Sequence, residues 1–220
     1  MNLKSLLLPT LFATSSAFAV TPYVEGQLSY MRIDDVESKN IYYDQNAVFV
    51  DGKIETEYDN SIGYGVELGL TDIGVKGLRV GLSYTRAKFD LDSLKGSGEV
   101  GFNGDVYTGS VSYSASEVKP YGFGDNTAKL YMANLYYDFD LTDQFKPFVG
   151  IGAGVADMDN IKDNEFAASA SVGAKYYFDK KMYLGAKANY TNINGPKDDI
   201  GIKYDDIDLY SATVMLGYEF

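Results

Sequence analysis

The chain closes on Tyr210-Ser211-Ala212-Thr213-Val214-Met215-Leu216-Gly217-Tyr218-Glu219-Phe220. Tyr210, Ala212, Val214, Leu216, Tyr218 and Phe220 fall on every second position, and Ser211, Thr213, Gly217 and Glu219 fall between them. Successive side chains of a strand point to opposite faces. The segment therefore predicts a strand with one apolar face and one small or polar face. Its length is also about that of a tilted strand crossing hydrocarbon, roughly 9–11 residues. An aromatic residue ends the row, and it is the last residue of the chain.

The same period-2 pattern recurs upstream and predicts about eight strands. In the first, Val24, Gly26, Leu28 and Tyr30 oppose Glu25, Gln27 and Ser29. In the second, Ile62, Tyr64, Val66, Leu68 and Leu70 oppose Ser61, Gly63, Gly65, Glu67 and Gly69. In the third, Leu78, Val80, Leu82 and Tyr84 oppose Arg79, Gly81, Ser83 and Thr85. Similar rows run through Tyr131–Phe139, Pro147–Val155, Phe166–Phe178 and Leu184–Tyr190.

The connections alternate in length. Those at 71–77, 140–144 and 179–181 are short; those near 34–60, 87–127, 157–165 and 192–207 are long. Short turns at one end and long loops at the other are the habit of outer-membrane barrels. Two of the long loops carry turn dipeptides, Asp51-Gly52 and Asn103-Gly104, each between β-prone residues. Such pairs favour two-residue hairpins, so each loop is expected to rise from the membrane as its own ribbon. The alternative adds these ribbons to the wall and gives ten strands.

Composition narrows the class. The chain has 220 residues, 20 Tyr, 12 Phe and 23 Gly, with no Cys and no His, and its formal charge is -12. The length suits one domain. Without Cys there are neither disulfides nor thiolate metal sites. Without His the commonest general base and transition-metal ligand are gone. A strongly acidic chain is a poor partner for nucleic acid, and none is expected. Residues 1–19 read as a signal peptide: Lys4 is the basic start, 6–12 the apolar core broken by Pro9, and Ala17-Phe18-Ala19 the cleavage pattern after Ala19. The mature domain is then 20–220.

A soluble barrel buries its apolar face, whereas a membrane barrel turns that face to lipid. Here the second face is rich in Gly, Ser and Thr, which suits a narrow lumen better than a solvated sheet. The aromatics of the apolar face gather near strand ends. Tyr30, Tyr64, Tyr84, Tyr131, Tyr190 and Tyr210 predict an outer girdle; Tyr137, Phe139, Tyr176, Phe178, Tyr218 and Phe220 predict an inner one. The expected fold is an all-β, antiparallel up-and-down transmembrane β-barrel of about eight strands with β-hairpin extensions in its long extracellular loops.

The terminal strand resembles the signal read by the outer-membrane assembly machinery, with Tyr218 and Phe220 carrying it. Lys146-Pro147-Phe148-Val149-Gly150-Ile151-Gly152-Ala153-Gly154-Val155 resembles the glycine-rich strand of small outer-membrane barrels, the OmpA transmembrane-domain, OmpX and surface-antigen group of the porin family. Leu135-Tyr136-Tyr137-Asp138-Phe139 resembles the strand before it. The resemblance covers nearly all of 20–220 and implies a monomer in the bacterial outer membrane. It also implies contact with outer-membrane lipid, lipopolysaccharide and the assembly machinery.

Two sets of residues could carry a function. Glu67, Arg79, Lys175, Lys187 and Glu219 fall on the inner face, with Asn134 and Asp138 nearby, and predict an interior charge network that is either structural or pore-lining. The loops are acidic: Asp34, Asp35, Glu37, Asp44, Asp51, Glu55, Glu57 and Asp59 against Lys39 and Lys53 in the first, Asp157, Asp159, Asp163 and Glu165 in the third. Carboxylates suit Ca²⁺, but this spacing lacks the glycine at the sixth position of an EF-hand loop. A solvated rim that meets divalent ions bridging lipopolysaccharide is expected instead. No cofactor, metal site or catalytic residue is expected, because barrel lipases, lipid A-modifying enzymes and proteases rely largely on a catalytic His. The reading is a non-enzymatic surface protein that supports membrane integrity or adheres to host or bacterial surfaces, or alternatively a narrow passive channel for small solutes.

Overall fold

The computed structural model describes residues 20–45, 48–102, 105–121, 124–159, 161, 163–197 and 202–220. In chain order the strands are β1 (Thr21–Ile33), β2 (Val36–Glu37), β3 (Ile41–Gln45), β4 (Val48–Tyr58), β5 (Ser61–Thr71), β6 (Leu78–Phe89), β7 (Leu91–Phe102) and β8 (Asp105–Ser114), then β9 (Asn126–Asp138), β10 (Phe145–Met158), β11 (Glu165–Tyr177), β12 (Met182–Ile193) and β13 (Ile207–Glu219). Eight of them close into one barrel in the order β1-β13-β12-β11-β10-β9-β6-β5. Every pairing in it is antiparallel. No helix among the described residues is long and apolar enough to cross a membrane, so the crossing falls to strands whose backbone groups are all paired around the ring.

Closure joins the chain ends. Tyr23↔Glu219 through Ile33↔Leu209 zip β1 to β13. The Phe220 amide then donates to the Pro22 carbonyl at 2.9 Å, carrying the ladder to the last residue. The faces follow the period-2 reading. Leu28, Ile62, Leu82, Ile151, Val172, Val214 and Phe220 stand exposed on the outer wall, Leu82 at 70%, which is where a membrane barrel meets lipid. Ring pairs stiffen the girdles, with Tyr84 5.2 Å from Tyr131 and Tyr190 5.4 Å from Tyr210, and Tyr137 and Tyr218 packed edge-on against Phe139 and Phe220.

The short turns are tight. In the first, Asp72, Gly74 and Gly77 all have positive φ, and the Asp72 carboxylate accepts the Gly77 amide at 2.7 Å. A side chain at Gly77 would also strike the Asp138 carbonyl.

The long loops build something that sequence did not anticipate. In place of two separate ribbons, β4 and β7 pair with each other, giving a second sheet in the order β2-β4-β7-β8, with β3 on β4. This sheet continues the β5·β6 wall upward, with one irregularity at Glu57/Tyr58, where the Asp59 amide meets the Asp90 carbonyl at 2.9 Å. The fourth loop is stitched to the first: Asp205 donates to the Glu37 carbonyl and Lys39 to that of Lys203. The ten-strand alternative is therefore set aside, since the loop strands lie outside the closed ring.

The Asp51-Gly52 turn is also corrected. Both residues sit inside β4, where Asp51 pairs with Tyr42 and Glu99, and Gly52 with Ile41 and Gly98. The eleven residues of β7 opposite β4 offer a longer ladder than a local turn could. Gly52 is small for another reason: an added Cβ would meet the Ser97 carbonyl at 2.9 Å. Asn103-Gly104 and the 1–19 segment with Ala19 lie outside the described residues; the strands flanking the former pair Phe102 with Asp105.

Candidate functional site

The lumen has three layers. At the short-turn end, Arg79 is buried at 1% exposure among Glu25, Glu67 and Asp138. Its guanidinium lies 4.0 Å from the centroid of Tyr136 and 5.1–5.2 Å from those of Phe148 and Tyr23. Glu67 accepts from Tyr23 at 2.5 Å, Tyr136 at 2.8 Å and Asn134 at 3.0 Å. Glu25 accepts from Gln27 at 2.6 Å and Tyr183 at 2.8 Å. Lys175 donates to Asp138 at 2.7 Å and lies 3.5 Å from Glu219, which also accepts from Tyr177 at 2.6 Å.

Two cations thus face four carboxylates out of water. Buried charges are costly unless their polar atoms are satisfied; four tyrosine hydroxyls and two amides supply most of that shell, and the Arg79 Nε, 3.3 Å from Asp138, is left without a hydrogen bond. The glycines of the inner face make the rings fit. Tyr23 lies opposite Gly69, Tyr136 opposite Gly150, Tyr183 opposite Gly217 and Phe148 opposite Gly173. In each case a Cβ on the glycine would strike the ring.

Glu67, Arg79, Lys175 and Glu219 come together as the inner-face reading expected, with Asn134 and Asp138. Lys187 does not. It sits half-buried one layer higher, its ammonium 5.9 Å from the Tyr136 ring centroid, and among the described residues it makes no ion pair. Glu25 and the four tyrosines were missed. Glu25 was legible on the inner face, yet only β1·β5 pairing sets it opposite Glu67. The tyrosine–glycine oppositions need the cross-strand register.

Above this layer is a polar cavity of about 40 Å³, bordered by Gln27, Ser29, Ser83, Asn134, Lys187 and Thr213. The outer end is apolar. Met31, Phe89, Leu130, Met158, Ile193 and Leu209 form a buried cluster against which Ile33, Val36, Tyr58 and Ile161 pack. The inner face is therefore rich in small and polar groups over its lower part and apolar at the mouth. The strand ends bring large apolar residues in from all sides, and they fill the mouth.

The loop sheet has two unlike faces, set by its register. Glu55, Glu57, Lys95 and Ser93 share one; Ile54, Gly96, Val111 and Tyr113 share the other. Asp35, Glu55 and Glu57 bring carboxylate oxygens within 4.8 Å of one another. Lys95 supplies the opposing charge, donating to Glu55 at 3.0 Å and to Glu57, which Ser93 also reaches. These donors hold the Glu57 carboxyl below the usual range, whereas desolvation and the neighbouring Glu57 and Glu55 push Asp35 up.

The comparisons agree with this architecture. Residues 5–220 match the family model described as outer membrane protein beta-barrel domain. Among solved structures, Neisserial surface protein A is similar at 14% identity with a TM-score of 0.55, over 90% of this chain and 97% of that one. The outer membrane protein OprG from Pseudomonas aeruginosa is similar at 14% identity with a TM-score of 0.51, over 92% and 97%. Identity this low speaks for the fold alone. No curated protein sequence matches the chain. The closed eight-strand ring, its apolar outer wall and the family match over nearly the whole length agree: the chain belongs to the outer membrane protein beta-barrel domain family and resides in the bacterial outer membrane.

Proposed function

We propose that the protein is a non-conducting, non-enzymatic surface barrel that holds a loop-built sheet outside the membrane for contact with other surfaces. The observation that carries this reading is the filled lumen. An apolar cluster fills the outer mouth and an ion-pair and tyrosine layer fills the base, leaving a small polar cavity of about 40 Å³ between them. A hydrated solute has no path through two packed layers. The outside, by contrast, is elaborated. β4, β7 and β8 give the sheet eleven, twelve and ten residues of strand, with an acidic face and an apolar, tyrosine-bearing one.

The passive-channel alternative makes the opposite forecast in one experiment. Purified protein in planar bilayers should give no conductance steps above the lipid baseline; reproducible steps would return the channel reading. Binding to host and bacterial surfaces, compared between the whole protein and a version with loops one and two shortened, tests the surface role. Equal binding by both would count against it.

A further inference from the structure

The two edges of the loop sheet are finished differently. Edge strands expose unpaired N–H and C=O groups, and proteins blunt them with short strands, Lys, Pro, bulges or a covering segment. On one side, β2 and β3 are two and five residues long. The fourth loop also covers β2, through the Ser38↔Tyr204 bridge and the backbone bonds from Asp205 to Glu37 and from Lys39 to Lys203. On the other side stands β8, which pairs with β7 from Ser93↔Ser114 to Phe102↔Asp105 without a bulge. All ten of its residues are exposed, and among the described residues no strand pairs with its outer side. β8 contains no Lys, Arg or Pro, and its single charge is Asp105, at the tip. It carries none of the devices that close the opposite edge.

The residues of β8 favour a second copy of the same strand. The chain carries a net charge of -12, so two copies approach best along a surface with little charge. Antiparallel pairing centred on Ser110 sets Ser110 opposite Ser110, Thr108 opposite Ser112 and Tyr107 opposite Tyr113. Hydroxyl pairs then fall on one face and tyrosine pairs on the other, both favourable across strands. Asp105 lies beyond the paired stretch, so no like charges meet. Symmetry fixes the orientation. The two-fold axis of such a pair is perpendicular to the sheet. Because β7 and β8 rise from the barrel, that axis lies parallel to the membrane and turns the second barrel over. The second copy therefore sits in a facing membrane. Ser97, opposite Ser110, is 13 residues beyond Tyr84 of the outer girdle. At about 3.3 Å per residue and a tilt near 40°, the axis stands roughly 30 Å above that girdle.

We propose that β8 is a self-adhesion edge: two copies on facing outer membranes join antiparallel through β8 and merge their loop sheets into one. The proposal rests on the reading of the loop sheet as a contact surface and names its partner. Every second residue of a strand turns its N–H and C=O to one side, so one contact adds roughly eight to ten main-chain hydrogen bonds. A contact one strand wide falls at the weak end of interface sizes, below about 1,200 Å². Adhesion therefore comes from many such contacts acting together between two membranes.

Phosphatidylcholine vesicles carrying the folded protein, mixed with differently labelled bare vesicles, test it by light scattering and two-colour imaging. Protein-bearing vesicles should cluster with one another and leave the bare ones out. T108K/S112K sets lysines opposite one another and should cluster about tenfold more slowly, as should T108E/S112E. Both variants should keep the wild-type circular dichroism, since these side chains are exposed. Vesicles of the two variants mixed together should cluster again, because Lys then meets Glu. The chain has no Cys, so S110C gives one thiol per copy. A short bismaleimide should join two copies of S110C in clustered vesicles and should not join two of V106C, whose thiols lie far apart along the pair. Wild-type vesicles that stay apart would overturn the proposal. So would recruitment of bare vesicles, unchanged clustering by T108K/S112K, or failure of the mixed variants to cluster. Loop-dependent binding to cells by a protein whose vesicles stay apart would leave the surface role standing and remove only the self-pairing.

Discussion

The base of the lumen and the loop sheet above the mouth are built from the same antiparallel ladders and hold charge in opposite ways. At the base, Arg79, Glu25, Glu67 and Lys175 are all within 1% of full burial, and each touches several partners. In the sheet, Glu55, Glu57 and Lys95 stand partly in water and form one small cluster. The difference teaches where charge is structural. Out of water a lone charge is destabilising by several kcal/mol, whereas at a wet surface the same ion pair contributes little.

The largest break in this comparison should come from Arg79→Met. It strands Glu25 and Glu67 without their cation and leaves Asp138 to Lys175 alone, and removing one partner of a buried pair costs about 3–5 kcal/mol. Urea unfolding in lipid vesicles should show it, and a loss below 1 kcal/mol would mean that the tyrosine hydroxyls suffice alone. Next comes Gly69→Val. The new side chain meets the Tyr23 ring and the Val80 carbonyl, and overpacking of this kind costs roughly 1–3 kcal/mol. The same unfolding assay reads it, and a loss below about 0.5 kcal/mol would mean that the ring and the carbonyl both move aside.

Lys187→Met sharpens the contrast within the lumen. Lys187 has no ion pair among the described residues, so its loss should change stability by no more than about 0.5 kcal/mol. An effect as large as that of Arg79→Met would place it in the network after all. The smallest effect is expected in the sheet. Glu57 is held below the usual carboxylate range by Lys95 and Ser93. Its contribution to the sheet is therefore present above that range and lost as pH falls through the lowered value. Asp35, pushed up, runs the other way and is relieved by acid. Side-chain NMR titration should give Glu57 a lower midpoint than Asp35, and Lys95→Met should bring the two together. Unchanged midpoints would mean that Lys95 does not reach Glu57 in solution.

Much of the barrel was legible because its signal is local. Alternation along Tyr210–Phe220 depends only on the geometry of one strand, so the lipid-facing rows, the girdles and the inner position of Glu67, Arg79, Lys175 and Glu219 could be read residue by residue. Register could not. Nothing in the sequence near Tyr183 says that Gly217 lies opposite it, or that Glu25 faces Glu67. Asp51-Gly52 misled for the same cause: a turn dipeptide forms a hairpin only if no better partner strand exists, and β7 is that partner.

By itself, then, the sequence determined that the chain alternates, which face of each strand is apolar, where the crossings fall and that no histidine is available for catalysis. Only the tertiary structure decided that the mouth is plugged, that the two loop ribbons merge into one sheet and that Lys187 stands apart. The first set follows from the pleat of a single strand. The second follows from closing the ring, which fixes the register between strands distant in sequence and brings their side chains to the same height.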